Sequence, residues 1–329
     1  MKDMINFAIY GCGMIANVHI KALMGIKNAL VVGVADINFE KAKAFGKKYS
    51  VKVYSDLQSI FDDEQVDAIC ICTPNSTHAE IAITALENKK HVVLEKPMAI
   101  TVKECDEIIE ATKRNERILT VISQLRIADD IIKVKKLIDS GELGKPILCD
   151  LYMKYYRSKE YYSGNWKGIK KFDGGGALMN QGIHGIDILQ YLAGDVKEIK
   201  SFNGTLLYDI EVEDTSVSIV EFTSGALGVI EATTSVYPGF SRRIELHFTN
   251  GSVLIKEDKI EKLIINGREP IENVLISHGT QADPTGVNVE NHQKQLENFV
   301  NSILGKEKLY VDHFEGRKAV EIIERIYDN

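Results

Sequence analysis

The chain has 329 residues, enough for two domains that each bury a core, and its 26% charged residues and 6 prolines exclude disorder, collagen-like repeats and low complexity. A formal net charge of -7 supplies no basic field, which excludes nucleic acid and anionic membrane surfaces as partners. Five scattered cysteines without a C-x-x-C pair exclude a disulfide framework, and with no cleavable leader and no apolar run of membrane-spanning length the expected location is the reducing cytoplasm.

Residues 5–10, INFAIY, form a short apolar strand that runs into Gly11-Cys-Gly13-Met14-Ile15-Ala16 and then a helix beginning NVHIKALM. This is the dinucleotide fingerprint with Ala in the third glycine position. The first glycine permits the turn, the second lets backbone approach a pyrophosphate, and the small third residue lets helix and strand pack. A second strand, LVVGVAD, ends at Asp36, where a carboxylate accepts hydrogen bonds from a ribose 2′-hydroxyl and repels a 2′-phosphate, so NAD is favoured over NADP. Further strands are predicted near 51–54, 66–72, 91–94 and 118–123. Helices between them are opened by Ser55 with Gln58, Thr77 with Glu80 and Thr101 with Glu104 as capping boxes. The alternation predicts a doubly wound parallel sheet over residues 1–123. Ligands bind at the carboxyl ends of such strands, which singles out Thr73-Pro74-Asn75 and Glu95-Lys96-Pro97. Lys96 follows the buried run HVVL, where a lysine can hydrogen-bond a reacting hydroxyl or pass a proton, or else simply end a strand beside Glu95.

The segment GGGALMNQGIHGID, residues 174–187, runs from a three-glycine loop into an apolar helix. At roughly 100° per residue, Asn180, His184, Asp187 and Tyr191 share an arc of about 60°. A buried polar stripe has to be met by polar partners, either a neighbouring element or a substrate or cofactor. Before and after this helix, runs such as ILCDLYMKYY, SVSIVEF, LGVIEATTSV, RIELHF and SVLIKE are separated by turn signals at Asn203-Gly204, Ser224-Gly225 and Asn250-Gly251. They predict a second domain over 124–329 built on a large, mostly antiparallel sheet. His19, His91, His247, His278 and His313 show no metal-ligand spacing, and no metal is expected.

The fingerprint, Asp36, CTPNSTH at 72–78, HVVLEKP at 91–97 and the GGG-to-His segment together resemble the glucose-fructose oxidoreductase / inositol dehydrogenase / rhizopine-catabolism (Gfo/Idh/MocA) family of NAD(P)-dependent oxidoreductases. HQKQLENFVNSI and VDHFEGRKAVEII extend the resemblance to the last helices. It implies a Rossmann domain joined to a large-sheet domain, one face of which often forms a dimer or tetramer interface. It also implies that Lys96 lies beside the nicotinamide and the reacting hydroxyl, with His184 as general acid/base. His78 falls near the cofactor by the same resemblance, or merely starts a helix.

Asn180 departs from the family pattern, since inositol dehydrogenase-like members carry an aspartate there that pairs with the histidine. The Asn-Gln-x-x-His form is similar to sugar-nucleotide 3-dehydrogenases, including those acting on UDP-N-acetylglucosaminuronate. Asp187 is placed to orient His184 or hold a substrate hydroxyl. Arg126, Arg157, Trp166 and His292 are further candidates for the substrate pocket, or ordinary core and interface residues. The expected function is an NAD-dependent dehydrogenase of a sugar, polyol or sugar nucleotide. The alternatives are an NAD-dependent glycoside hydrolase without net redox and a non-catalytic sensor.

Overall fold

The computed structural model describes residues 3–163, 166–269 and 289–329, so His278 lies outside the described residues. In chain order the first elements are β1 (Ile5–Tyr10), α1 (Met14–Met24), β2 (Ala29–Ala35), α2 (Phe39–Tyr49), β3 (Lys52–Val53), α3 (Leu57–Phe61), β4 (Ala68–Ile71), α4 (His78–Glu87), β5 (His91–Leu94), α5 (Val102–Asn115) and β6 (Leu119–Val121). There follow α6 (Asp129–Asp139), β7 (Pro146–Lys154), α7 (Lys159–Tyr162), α8 (Lys170–Asp173), a π-helical segment (Ala177–Gly182) and α9 (Ile183–Ala193). The strands β8 (Val196–Gly204), β9 (Thr215–Phe222), β10 (Leu227–Thr233), β11 (Arg243–Phe248), β12 (Gly251–Lys256) and β13 (Lys259–Ile265) precede α10 (Val289–Ile303) and α11 (His313–Tyr327).

The chain divides into two compact units, one of Met1–Gln124 with Asn288–Arg317 and the other of Leu125–Val287 with Lys318–Asn329. A single boundary after residue 123 therefore does not describe it. The amphipathic α10 places Leu296, Phe299 and Val300 in the core of the first unit with Phe7, Ile9, Ile20 and Leu23, and the Phe7 and Phe299 rings lie 6.2 Å apart. Burying that apolar face is what draws α10 back to the first unit.

The first unit is built on a six-stranded sheet of order β3-β2-β1-β4-β5-β6, parallel throughout. Its central strands are apolar runs with both faces covered, as a parallel sheet requires. Thr101 caps α5 as expected, accepting from the Glu104 amide, while Glu104 reaches back to the amide of Ile100. Two of the expected caps differ. Asp56 with Ser59, and not Ser55 with Gln58, forms the box at α3. Thr77 makes no side-chain cap at α4; its hydroxyl donates to the Pro74 carbonyl and lies 2.8 Å from Thr73 Oγ1.

The second unit carries a seven-stranded sheet of order β13-β12-β11-β7-β10-β9-β8. Only β7 and β10 pair in parallel; every other neighbour is antiparallel. Asn203-Gly204 is no turn. Both residues end β8, paired with Ser216 and Thr215, and the chain turns later.

Candidate functional site

In the first unit the strand-end loops are built as a nucleotide fold demands. Gly11 has φ +93, a left-handed conformation, and a Cβ there would collide with the Cys72 carbonyl. A Cβ at Gly13 would meet nothing within 4 Å, so the start of α1 is open where a pyrophosphate approaches its amides. Met14 is exposed, Ile15 half-buried and Ala16 fully buried, which lets α1 sit close against β1. Asp36 is buried and accepts the Cys12 amide at 2.7 Å and the Asn38 amide at 2.8 Å. Its carboxylate therefore shapes the glycine loop as well as standing where a ribose hydroxyl is expected. These residues fit a dinucleotide.

Across β4 and β5, Asn75 is buried and Thr73 and Pro74 are half-buried. Glu95 ends the apolar run of β5 fully enclosed, with His19 Nε2 of α1 2.6 Å from its Oε1 and the Lys96 amide 3.3 Å from its Oε2. Burial raises its carboxyl, but the hydrogen bond and charge of His19, with His292 and Lys96, outweigh this and hold it at about 2. His292 of α10, a candidate for the substrate pocket or for a core role, packs its ring against His19, centroids 5.8 Å apart. His78 is fully buried, with Nδ1 2.7 Å from the Pro97 carbonyl and Nε2 3.0 Å from the Thr73 carbonyl. Its ring is thus engaged by backbone on both sides. The half-buried Lys96 lies between the two held residues.

In the second unit, the helix predicted over the stripe is regular α-helix only from Ile183 onward. Residues 177–182, Asn180 among them, are π-helical, with an i→i+5 pattern that departs from the 100° step. Asn180 Nδ2 donates to the Gly175 carbonyl, five residues back, at 3.1 Å. Glu213, in the β8–β9 connection, anchors this segment. Its carboxylate accepts the amides of Gly176 and Leu178 at 2.8 and 2.9 Å and the hydroxyl of Tyr327 at 3.0 Å. A Cβ at Gly176 would collide with the Glu213 carbonyl, which explains a glycine there. Sequence reasoning missed Glu213, Tyr327 and His19; Glu213 follows a run of turn residues that carries no periodic signal.

Asp187 meets a protein partner. Arg126 donates Nε to Oδ2 and Nη2 to Oδ1, both at 2.7 Å, and both residues are buried. The guanidinium also lies 4.9 Å from the Tyr191 ring centre. Arg126, Asp187 and Tyr191 so form one cluster inside the unit. Arg157 is buried as well, donating Nη2 to Gln181 Oε1 at 2.7 Å and Nη1 to the Tyr156 carbonyl at 3.1 Å. Its guanidinium lies 5.5 Å from the ring of Tyr161, whose hydroxyl accepts from Gln181 at 3.1 Å. Trp166 and His184 are half-buried. Among the described residues no group of three potential metal ligands occurs, and no helix is long and apolar enough to cross a membrane.

Two family models match the chain: "Oxidoreductase family, NAD-binding Rossmann fold" over residues 5–123 and "GFO/IDH/MocA C-terminal domain" over residues 131–254. A myo-inositol 2-dehydrogenase of Thermotoga maritima is 29% identical over 255 residues, 76% of this chain and 74% of that protein. The scyllo-inositol 2-dehydrogenase (NAD(+)) of Bacillus subtilis is 30% identical over 262 residues, 78% of this chain and 75% of that protein. Among solved structures, the WlbA dehydrogenase from Bordetella pertussis, in complex with NADH and UDP-GlcNAcA, is similar with a TM-score of 0.88. The two are 28% identical, over 99% of this chain and 96% of that one.

Two predictions follow from the buried ionic groups. Glu95 has a lowered folded value, so its contribution to stability is fully present above its unfolded value of about 4.5 and is lost as pH falls through about 2. Thermal melts between pH 5 and pH 3 should therefore fall more steeply for the native chain than for Glu95→Gln, whereas parallel slopes would contradict the assignment. Arg126→Met should cost about 3–5 kcal/mol by stranding Asp187, and adding Asp187→Leu should recover much of that loss in denaturant titrations. An additive double variant would contradict the pairing.

Proposed function

The chain belongs to the Gfo/Idh/MocA family of oxidoreductases, and from that premise we propose how its residues divide the work of an NAD-dependent dehydrogenase acting on a hydroxyl-bearing carbon of a sugar, polyol or sugar nucleotide. Gly11, Gly13, Met14, Ile15 and Ala16 hold the pyrophosphate at the start of α1, Asp36 takes the ribose, and Thr73, Pro74 and Asn75 complete the cofactor loop. NAD, when bound, supplies the hydride acceptor. Lys96 hydrogen-bonds the reacting hydroxyl and steadies the negative charge that develops on its oxygen, and His184 takes the proton. The observation that carries this reading is the Lys96 turn: a lysine at the carboxyl end of a buried strand, with both flanking residues held by buried histidines. Asn180 brings an amide where an aspartate would form a relay, so its role is to orient and not to ionise.

Within that range of substrates, Arg157 favours one bearing an acidic group, a uronate or a phosphate. Its guanidinium is buried, and among the described residues its acceptors are neutral, the Gln181 amide and a carbonyl. A buried charge is best offset by an opposite one. Arg126 and Asp187 act by positioning α9.

The open face of the second sheet supports a homo-oligomer. Phe202 pairs with Val217, and Ile219 with Val229, on adjacent strands, and Phe202, Val217, Ile219 and Leu227 are exposed. Such a contiguous apolar patch is characteristic of an interface. All five cysteines are free and buried, which fits a cytoplasmic protein.

Lys96→Met should lower turnover ~10²–10⁴-fold while NADH binding, read by fluorescence, stays near native; near-normal turnover would refute the proton-handling role. Ile219→Lys should reduce the mass measured by light scattering to that of the single chain, and an unchanged mass would refute this face as the interface.

A further inference from the structure

The two pins on the Lys96 turn differ in kind. On one side the Glu95 carboxylate meets His19 of α1. On the other, the Pro97 carbonyl meets His78, whose opposite nitrogen meets the Thr73 carbonyl. Two carbonyl oxygens on one imidazole compete unequally. Carbonyls only accept, and a neutral ring has one N–H. Full burial pushes this ring towards its neutral form, and the nearby Lys96 charge adds to that push, against the two carbonyls and the Glu95 charge. A single proton belongs in the shorter contact, 2.7 Å to Pro97, over the 3.0 Å contact to Thr73. Nor does His78 serve the helix it begins. Capping α4 would need an acceptor aimed at that helix's amides, whereas both ring nitrogens face carbonyls outside it, one of them 19 residues away on the lysine turn.

We propose that His78 is a positioning residue for Lys96: its Nδ1–H, donated to the Pro97 carbonyl, fixes the turn that presents the lysine, and its Nε2 edge only rests against the Thr73 loop. This rests on the reading of Lys96 as the group that meets the reacting hydroxyl. It separates two jobs that a cofactor-loop histidine would otherwise combine, since loss of the Pro97 bond affects the chemical step and leaves dinucleotide binding in place.

Asparagine and glutamine divide the ring between them. The Asn amide nitrogen falls where Nδ1 stands, and the Gln amide nitrogen reaches the position of Nε2. His78→Asn, His78→Gln and Lys96→Met are compared in the full chain for NADH affinity by fluorescence, and for turnover with NAD and myo-inositol, scyllo-inositol or UDP-N-acetylglucosaminuronate. The expected result is a kcat within about threefold of native for His78→Asn. His78→Gln should lose ~100-fold in kcat at unchanged NADH affinity, the scale set by a misplacement of about 1 Å. Equal losses in both His78 variants, or native kcat in His78→Gln beside an inactive Lys96→Met, overturn this inference alone. Turnover in Lys96→Met overturns the reading of the lysine and the inference with it. A measurement on the native chain with NADH needs neither folded variants nor a substrate. Two-bond ¹H–¹⁵N spectra of the histidine-labelled protein should show His78 as the neutral ring protonated at Nδ1, and an Nε2–H pattern would overturn the assignment.

Discussion

The first unit buries a 2.6 Å contact between Glu95 and His19. It joins the end of β5 to α1, the helix whose first turn is open to a pyrophosphate. Cofactor helix and lysine turn are therefore parts of one rigid assembly. A buried carboxylate is costly unless paired, so an apolar residue in place of Glu95 would free the turn that carries Lys96.

The same device recurs wherever this fold must fix an irregular segment. Asp36 takes the Cys12 amide and shapes the glycine loop; Glu213 takes two amides at the head of the π-helical segment; Asp214 takes those of Leu206, Leu207 and Tyr208. Backbone N–H groups in loops have no ladder partner, and an enclosed carboxylate satisfies several at once. In the second unit this matters because the segment anchored by Glu213 carries Asn180 and leads directly into His184. Tyr327, near the end of the chain, donates to the same carboxylate, so the last helix contributes to the order of that segment.

Much of this was legible from sequence, for physical reasons. The parallel strands are apolar runs ended by glycine turns, and Gly11, Gly13 and Asp36 stand in an order that few other folds require. What escaped was long-range or aperiodic. The strand β8 exposes most of its residues at the sheet edge and buries Ile199 alone, so VKEIKSFNG shows no alternation, and its terminal Asn203-Gly204 imitates a turn. The return of α10 to the first unit joins surfaces nearly three hundred positions apart, which no local window registers. Pairings such as His19 with Glu95 and Arg126 with Asp187 couple residues 76 and 61 apart, so Glu95, Arg126 and Asp187 stood as separate candidates for ligand contact and His19 went unmarked. The π-helical segment has the composition of an α-helix, so its different hydrogen bonding was not legible.

The chain moves a hydride between a carbohydrate hydroxyl-bearing carbon and NAD. The most direct measurement is NADH fluorescence after mixing the protein and NAD with free sugars, inositols, uronates and UDP-sugars, UDP-N-acetylglucosaminuronate among them. The expected result is a rise with one chemical class, strongest where an acidic group accompanies the ring. A flat trace across the whole panel, with NAD binding demonstrated separately, would contradict it.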